Sequence, residues 1–176
     1  MIRPEFRTIL TDQRGAAVIL WSCFTISIAI YLVIARHVLS NPDFARGFSY
    51  AGIARAVFWI LTLIDLGYYY YWKKNYLTPE AISRDAKTSK LLRALEGHKG
   101  RFEERAAAVV STYITRKIVL FAIIEAIAVY GLVLGLVGRF LLDHYLLSAL
   151  ALILLILEFP SEKSFLMVLG RVEETH

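Results

Sequence analysis

The sequence predicts an all-α polytopic membrane protein, with four transmembrane helices and a cytoplasmic helical hairpin between helices 2 and 3. Three observations carry the prediction. Hydrophobic residues make up 57% of the chain and the mean hydropathy is +0.55, more apolar material than one small core can hide. Apolar runs recur near 16–35, 53–72, 118–138 and 141–157, each close to the length that crosses about 30 Å of hydrocarbon at helical rise. Basic residues are lopsided: sixteen Lys or Arg fall in the N-terminal segment, the link between the second and third runs, and the tail. Only Arg36, Arg46, Arg55 and Arg139 lie on the other side. By the positive-inside bias, both termini and the central link are cytoplasmic, and the expected location is a bacterial cytoplasmic (inner) membrane.

The first segment, 1–72, holds two spans. Arg3, Arg7 and Arg14 precede the run from 16 to 35, which is too long for a signal-peptide core and has no small-x-small cleavage site after it. It reads as a retained signal anchor. Ser22, Thr25 and Ser27, beside Cys23, can back-bond to their own helix or reach a neighbour. Ser40-Asn41-Pro42-Asp43 is a helix stop, and a short link runs through Gly47 to Gly52. The second span holds Asp65 and ends in Tyr68-Tyr69-Tyr70-Tyr71-Trp72 followed by Lys73 and Lys74, an interfacial belt of amphipathic rings.

Residues 73–117 are polar, with eleven Lys or Arg against five acids. Thr78-Pro79-Glu80 is a good helix start, and Ala81, Leu91, Leu92 and Leu95 give a modest apolar side before Gly97 and Gly100. A second helix is expected to begin near Arg101 and to run through Ala106-Ala107-Ala108 into the third span. This basic link sets topology and suits anionic lipid headgroups, or docks a cytoplasmic partner.

Residues 118–160 hold the third and fourth spans. Between Lys117 and Arg139 every residue is apolar or small except Tyr130 and Glu125. Ala128, Gly131, Gly135 and Gly138 recur at spacings of three and four, a face on which another helix can pack closely, within the chain or between chains. A tight connection containing Asp143 and His144 leads to the leucine-rich fourth span, closed by Glu158-Phe159-Pro160. In the tail, 161–176, Phe165, Leu166, Val168 and Leu169 suggest a short amphipathic segment lying on the surface.

Glu125 lies eight residues inside Lys117, and Asp65 eight inside Lys73, so both fall about 12 Å from the same interface. Counting likewise along the first span places Ser22 to Thr25 in that layer. No Lys, Arg or His of the spans shares it. An unpaired carboxylate in hydrocarbon is so costly that it holds a proton, binds a cation, faces water or meets a cation from another subunit. The plainer reading is a neutral acid acting as hydrogen-bonding glue, with Glu125 bonded to Ser22, Thr25 or Thr62, and Asp65 to Thr62 or Tyr69. Both readings stand on the residues alone.

The stretch FAIIEAIAVYGLVLGLV, 121–137, resembles the carboxylate-bearing helix of the rotor-ring c subunit of rotary ATP synthases, in which a Glu followed by a Tyr-Gly-Leu-Val run carries the translocated ion. The resemblance covers about a tenth of the chain. It implies that Glu125 is a proton or cation carrier, followed by Tyr130, Gly131, Leu132 and Val133.

Several functions lack support. His37, His98, His144 and His176 have no ligand spacing, the single cysteine offers no thiolate cluster, and no cofactor motif is present. The net charge of +5 sits between spans rather than on a soluble face, which argues against nucleic acid. No helical Ser-His or Asp-Asp arrangement suggests an enzyme. The expected function is a small non-enzymatic integral subunit or scaffold, packing against the bilayer, other membrane subunits or a second copy. The alternative is proton or cation translocation through Glu125 and Asp65, helped by Ser22, Thr25, Thr62 and Tyr130.

Overall fold

The computed structural model describes residues 4–41, 50–86 and 101–174, and side chains within 13–41, 50–86 and 105–168. The sequence features at Pro42, Asp43, Arg46, Gly47, Leu91, Leu92, Leu95, Gly97, His98 and His176 lie outside the described residues. Among the described residues six helices follow in order: α1 (Pro4–Ser40), α2 (Ala51–Tyr76), α3 (Pro79–Asp85), α4 (Arg101–Gly138), α5 (Leu141–Leu157) and α6 (Glu162–Glu174). There is no strand among the described residues. Three helices are long and apolar enough to cross a membrane, Gln13–Ser40, Ala51–Tyr76 and Arg105–Gly138. The number reaches four if Leu141–Leu157 and Glu162–Val168 are taken together as one interrupted span.

Local chemistry sets the helix ends. The Thr78 hydroxyl accepts from the Ala81 N–H at 3.4 Å, and Pro79, whose missing N–H would be unsatisfied anyway, opens α3. α4 begins at Arg101 and continues unbroken for 38 residues, since nothing inside it removes a helical N–H. It stops where Arg139 adopts φ 57°, a left-handed conformation that reverses the chain within two residues. Pro160 ends the fourth apolar segment, and Ser161 Oγ accepts from the Ser164 N–H at 3.4 Å to open α6.

The chain divides into two compact units. The first joins the described parts of 1–20, 72–119 and 160–176 around Ala17, Ile82, Ala106, Val109, Val110, Tyr113, Phe165 and Val168. Here the tail differs from the surface segment its pattern suggests. Phe165 and Val168 are buried and α6 packs on α3, while Leu166 and Met167 point outward. Ala106 shares this cluster with the Phe165 ring, which meets Tyr113 edge-on at 5.2 Å. Arg116 ties the unit together. It donates to the Tyr76 carbonyl at 2.6 Å and to Asp85 at 2.7 Å, and Arg84 adds a second contact to Asp85 at 3.1 Å. These two guanidiniums, Arg84 first, hold the Asp85 carboxyl below its ordinary value.

The second unit joins 21–71 and 120–159. Phe24 meets Phe121 at 5.8 Å and Arg139 reaches the Leu39 carbonyl at 3.5 Å, so α1 and α4 run in the same direction. Arg55 pairs with Asp143 and Tyr69 with Glu158, so α2 and α5 also run together. Gly131 and Gly135 lie against Leu147 and His144, which sets α5 antiparallel to α4. Of the most apolar window in each long helix, 44% is buried in α4 against 11% in α1 and 6% in α2, which makes α4 the central rod. Ile26, Ile30 and Val33 of α1, Ile60, Leu63 and Ile64 of α2, and Leu146, Ile153 and Ile156 of α5 face outward. So broad an apolar exterior suits hydrocarbon rather than water.

Candidate functional site

The site is built on the face that α4 turns toward α1. Phe121, Ile124 and Ala128 are buried there, and Glu125 is half-buried beside them. On α1, Phe24, Ser27 and Tyr31 share one stripe by their spacings of three and four. Tyr31 Oη donates to Glu125 Oε1 at 2.9 Å, and Ser27 Oγ lies 2.6 Å from the same oxygen. Ser27 Oγ is also 2.8 Å from the Phe24 carbonyl. A serine hydroxyl has one proton, and a carbonyl and a carboxylate can only accept. One proton cannot give both acceptors a full bond, so Ser27 either shares it between the Phe24 carbonyl and Glu125 or meets one of them without donating.

Asp65 sits on the inner side of α2, half-buried, with the Tyr130 hydroxyl beside it. The Tyr130 ring is braced by Phe58 at 5.5 Å. Long helical side chains lean toward their own N-terminus, so Tyr130 leans back toward the level of Glu125. The pairings of α2 with α5, and of α5 with α4, bring Asp65 within about one turn of Glu125 along the bundle. No described ion pair involves either carboxyl.

The predicted partners are arranged otherwise. Thr25 back-bonds to the Trp21 carbonyl at 3.0 Å and Thr62 to the Phe58 carbonyl at 2.8 Å, and Ser22 is half-buried. Glu125 is met instead by Ser27 and Tyr31, from about half a turn to two and a half turns farther along α1 than Thr25 and Ser22. Trp21 explains the offset: its Nε1 donates to the Leu155 carbonyl at 2.8 Å and its ring meets Phe159 at 5.0 Å, so this level of α1 is already the closing end of α5. Tyr69, a candidate partner of Asp65, donates to Glu158 at 2.7 Å.

The glycine face is used within the chain. A Cβ on Gly131 would lie 3.0 Å from Leu147 Cβ and 3.2 Å from the His144 carbonyl oxygen. At Gly135 the nearest atoms are those of the His144 side chain at 3.4 Å and beyond. Gly138 belongs to the turn, where a Cβ would overlap the Phe140 ring. Ala128 is fully buried.

Two polar groups escaped the sequence reading because Asp143 and His144 fall at the edge of an apolar run. The connection is shorter than it looks, and both lie in the first turn of α5, at 2% and 0% exposure. Arg55 Nη2 donates to Asp143 Oδ1 at 3.0 Å, Arg55 Nε lies 2.6 Å from Oδ2, and the guanidinium covers the Phe140 ring at 5.0 Å. Their signal was available in opposite charges near the same ends of two spans. Glu158, at 3% exposure, is likewise an interior group. Among the described residues no three His, Cys, Asp or Glu side chains converge as a metal site would require. No protein-family model, curated protein or solved structure matches the chain.

Proposed function

We propose that the chain is a small non-enzymatic integral membrane protein, a subunit of or scaffold in a larger membrane complex, with protonatable carboxyl groups in its interior. In this reading it spans a bacterial inner membrane four times, with both termini and a helical hairpin at 73–117 in the cytoplasm. The alternating directions of α1, α2, α4 and α5 suit four crossings, and the sixteen-to-four bias of basic residues sets their sense. The basic link faces anionic headgroups. The observation that carries the proposal is Glu125, an acid on the central helix whose partners among the described residues are hydroxyls. Because α5 already fills Gly131 and Gly135, contacts to other subunits fall to the outer faces, above all that of α2. Gentle solubilisation of native membranes should recover the protein with other membrane proteins or as an oligomer. A solitary, monodisperse monomer would contradict the proposal.

A second reading, proton or cation translocation through Glu125 and Asp65, is favoured by the two hydroxyls gathered on one oxygen of Glu125 and by the matched levels of the two acids. A hydrophobic carbodiimide should modify Glu125 in membranes, since the reagent needs a protonated carboxyl in an apolar setting. In proteoliposomes, Glu125→Gln should abolish a proton or sodium leak that the wild type shows. An unchanged flux would remove this reading.

A further inference from the structure

Translocation through Glu125 needs a second exchangeable group in the half of the bundle nearer Arg139, and one side chain there has the right chemistry. His144 is fully buried in the first turn of α5, against the open surface that Gly135 leaves on α4. Its Nδ1 lies 3.4 Å from the hydroxyl of Ser148, itself 1% exposed. Its Nε2 is buried with no hydrogen-bond partner among the described residues. The Gly131 backbone is near the ring, but not in hydrogen-bond geometry. A buried polar atom left open in this way calls for an occupant.

We propose that His144, oriented by Ser148 against the glycine face of α4, is a proton- and water-accepting station in the half of the bundle beyond Glu125. The proposal deepens the translocation reading and rests on it. An imidazole can take a proton on one nitrogen and release one from the other, breaking and forming only N–H bonds, so no co-reactant is required. Ser148 stands at Nδ1 as donor or acceptor according to the tautomer, and Nε2 is the nitrogen left open to an incoming proton or water. Gly135 lies ten residues beyond Glu125 on α4, about 15 Å. The hydroxyls of Tyr130 and Ser148 fall between these levels and divide the interval. The surrounding charges leave the station neutral overall: Asp143 on α5 is matched by Arg55 on α2, α4 presents Gly131 and Gly135, and the Tyr145 ring lies 5.6 Å away.

The test uses the full-length protein in liposomes with an internal pH dye and a potassium diffusion potential. Wild type should acidify the lumen, Glu125→Gln should abolish the flux, and His144→Gln, which keeps a polar end but cannot relay a proton, should reduce it at least about tenfold. A His144→Gln flux equal to wild type, with Glu125→Gln inactive, overturns the station and leaves translocation standing. A wild-type flux no greater than that of empty liposomes removes both. If His144→Gln does not elute as a folded species, Ser148→Ala takes its place. That variant should lower the flux several-fold, and an unchanged flux overturns the proposal.

Discussion

Removing the hydroxyl of Tyr31 isolates the interaction on which the interior site turns. Glu125 Oε1 has two hydroxyl neighbours, Tyr31 at 2.9 Å and Ser27 at 2.6 Å, but they are not equivalent. Without Glu125, Ser27 keeps its 2.8 Å contact to the Phe24 carbonyl, whereas the Tyr31 hydroxyl is left with the Ser27 hydroxyl beside it and no carbonyl or carboxylate acceptor among the described contacts. Interhelical hydrogen bonds in membrane proteins average about 0.6 kcal/mol and reach about 1.7. A double-mutant cycle of Tyr31→Phe with Glu125→Leu should therefore give a coupling of about 0.6–1.7 kcal/mol. The same cycle with Ser27→Ala should give a smaller coupling, since that hydroxyl has a partner in reserve. Reversible unfolding in lipid bicelles reads both cycles. A Tyr31 coupling below about 0.3 kcal/mol, the usual error of additivity, would refute the geometry, as would a Ser27 coupling larger than that of Tyr31.

Three further outcomes follow from the same contacts. Arg55→Leu strands Asp143 at 3% exposure and should destabilise the protein by about 3–5 kcal/mol, while adding Asp143→Leu should recover most of the loss in the same unfolding assay. Gly131→Ala drives a methyl to 3.0 Å from Leu147 Cβ and 3.2 Å from a carbonyl oxygen and should cost about 1–3 kcal/mol, whereas Gly135→Ala, with ordinary contacts, should be close to neutral; equal effects would contradict the packing of α5 on α4. The Asp85 carboxyl is held low by Arg84 and Arg116, so its contribution to the first unit is complete above the usual carboxylate range and is lost as pH falls through the depressed value. Asp85→Asn should flatten that acid limb in thermal melts, and an unaltered limb would assign it to other groups.

Element by element, the sequence revealed most where a single physical cue was sufficient. Unbroken apolar length located the long apolar helices, Thr78-Pro79 marked the start of α3, and the lack of a helix breaker after Arg101 carried α4 unbroken into its apolar half. The depth count also brought Asp65 and Glu125 to similar levels. It misjudged α1, because a span's first apolar residue says little about where a partner will meet it. Trp21, tied to Leu155 and Phe159, sets that level, and the hydroxyls that reach Glu125 lie a turn or more beyond it. Asp143 and His144 were misread for a related reason. Polar residues next to Arg139 look like a loop, and only the left-handed backbone there draws them into the first turn of a helix. The tail's apolar pattern was clear, but Phe165 and Val168 join a cluster with Ile82, Val109 and Tyr113, a pairing that periodicity cannot specify.

The proposed translocation reading needs a Glu125 that holds a proton in the bilayer. Infrared difference spectroscopy of the wild type against Glu125→Gln, in lipid at neutral pH, measures it without any assumption about flux. A carbonyl stretch of a protonated carboxyl, present in the wild type and missing from the variant, is the predicted result; loss of carboxylate bands alone would show Glu125 ionised and contradict the account.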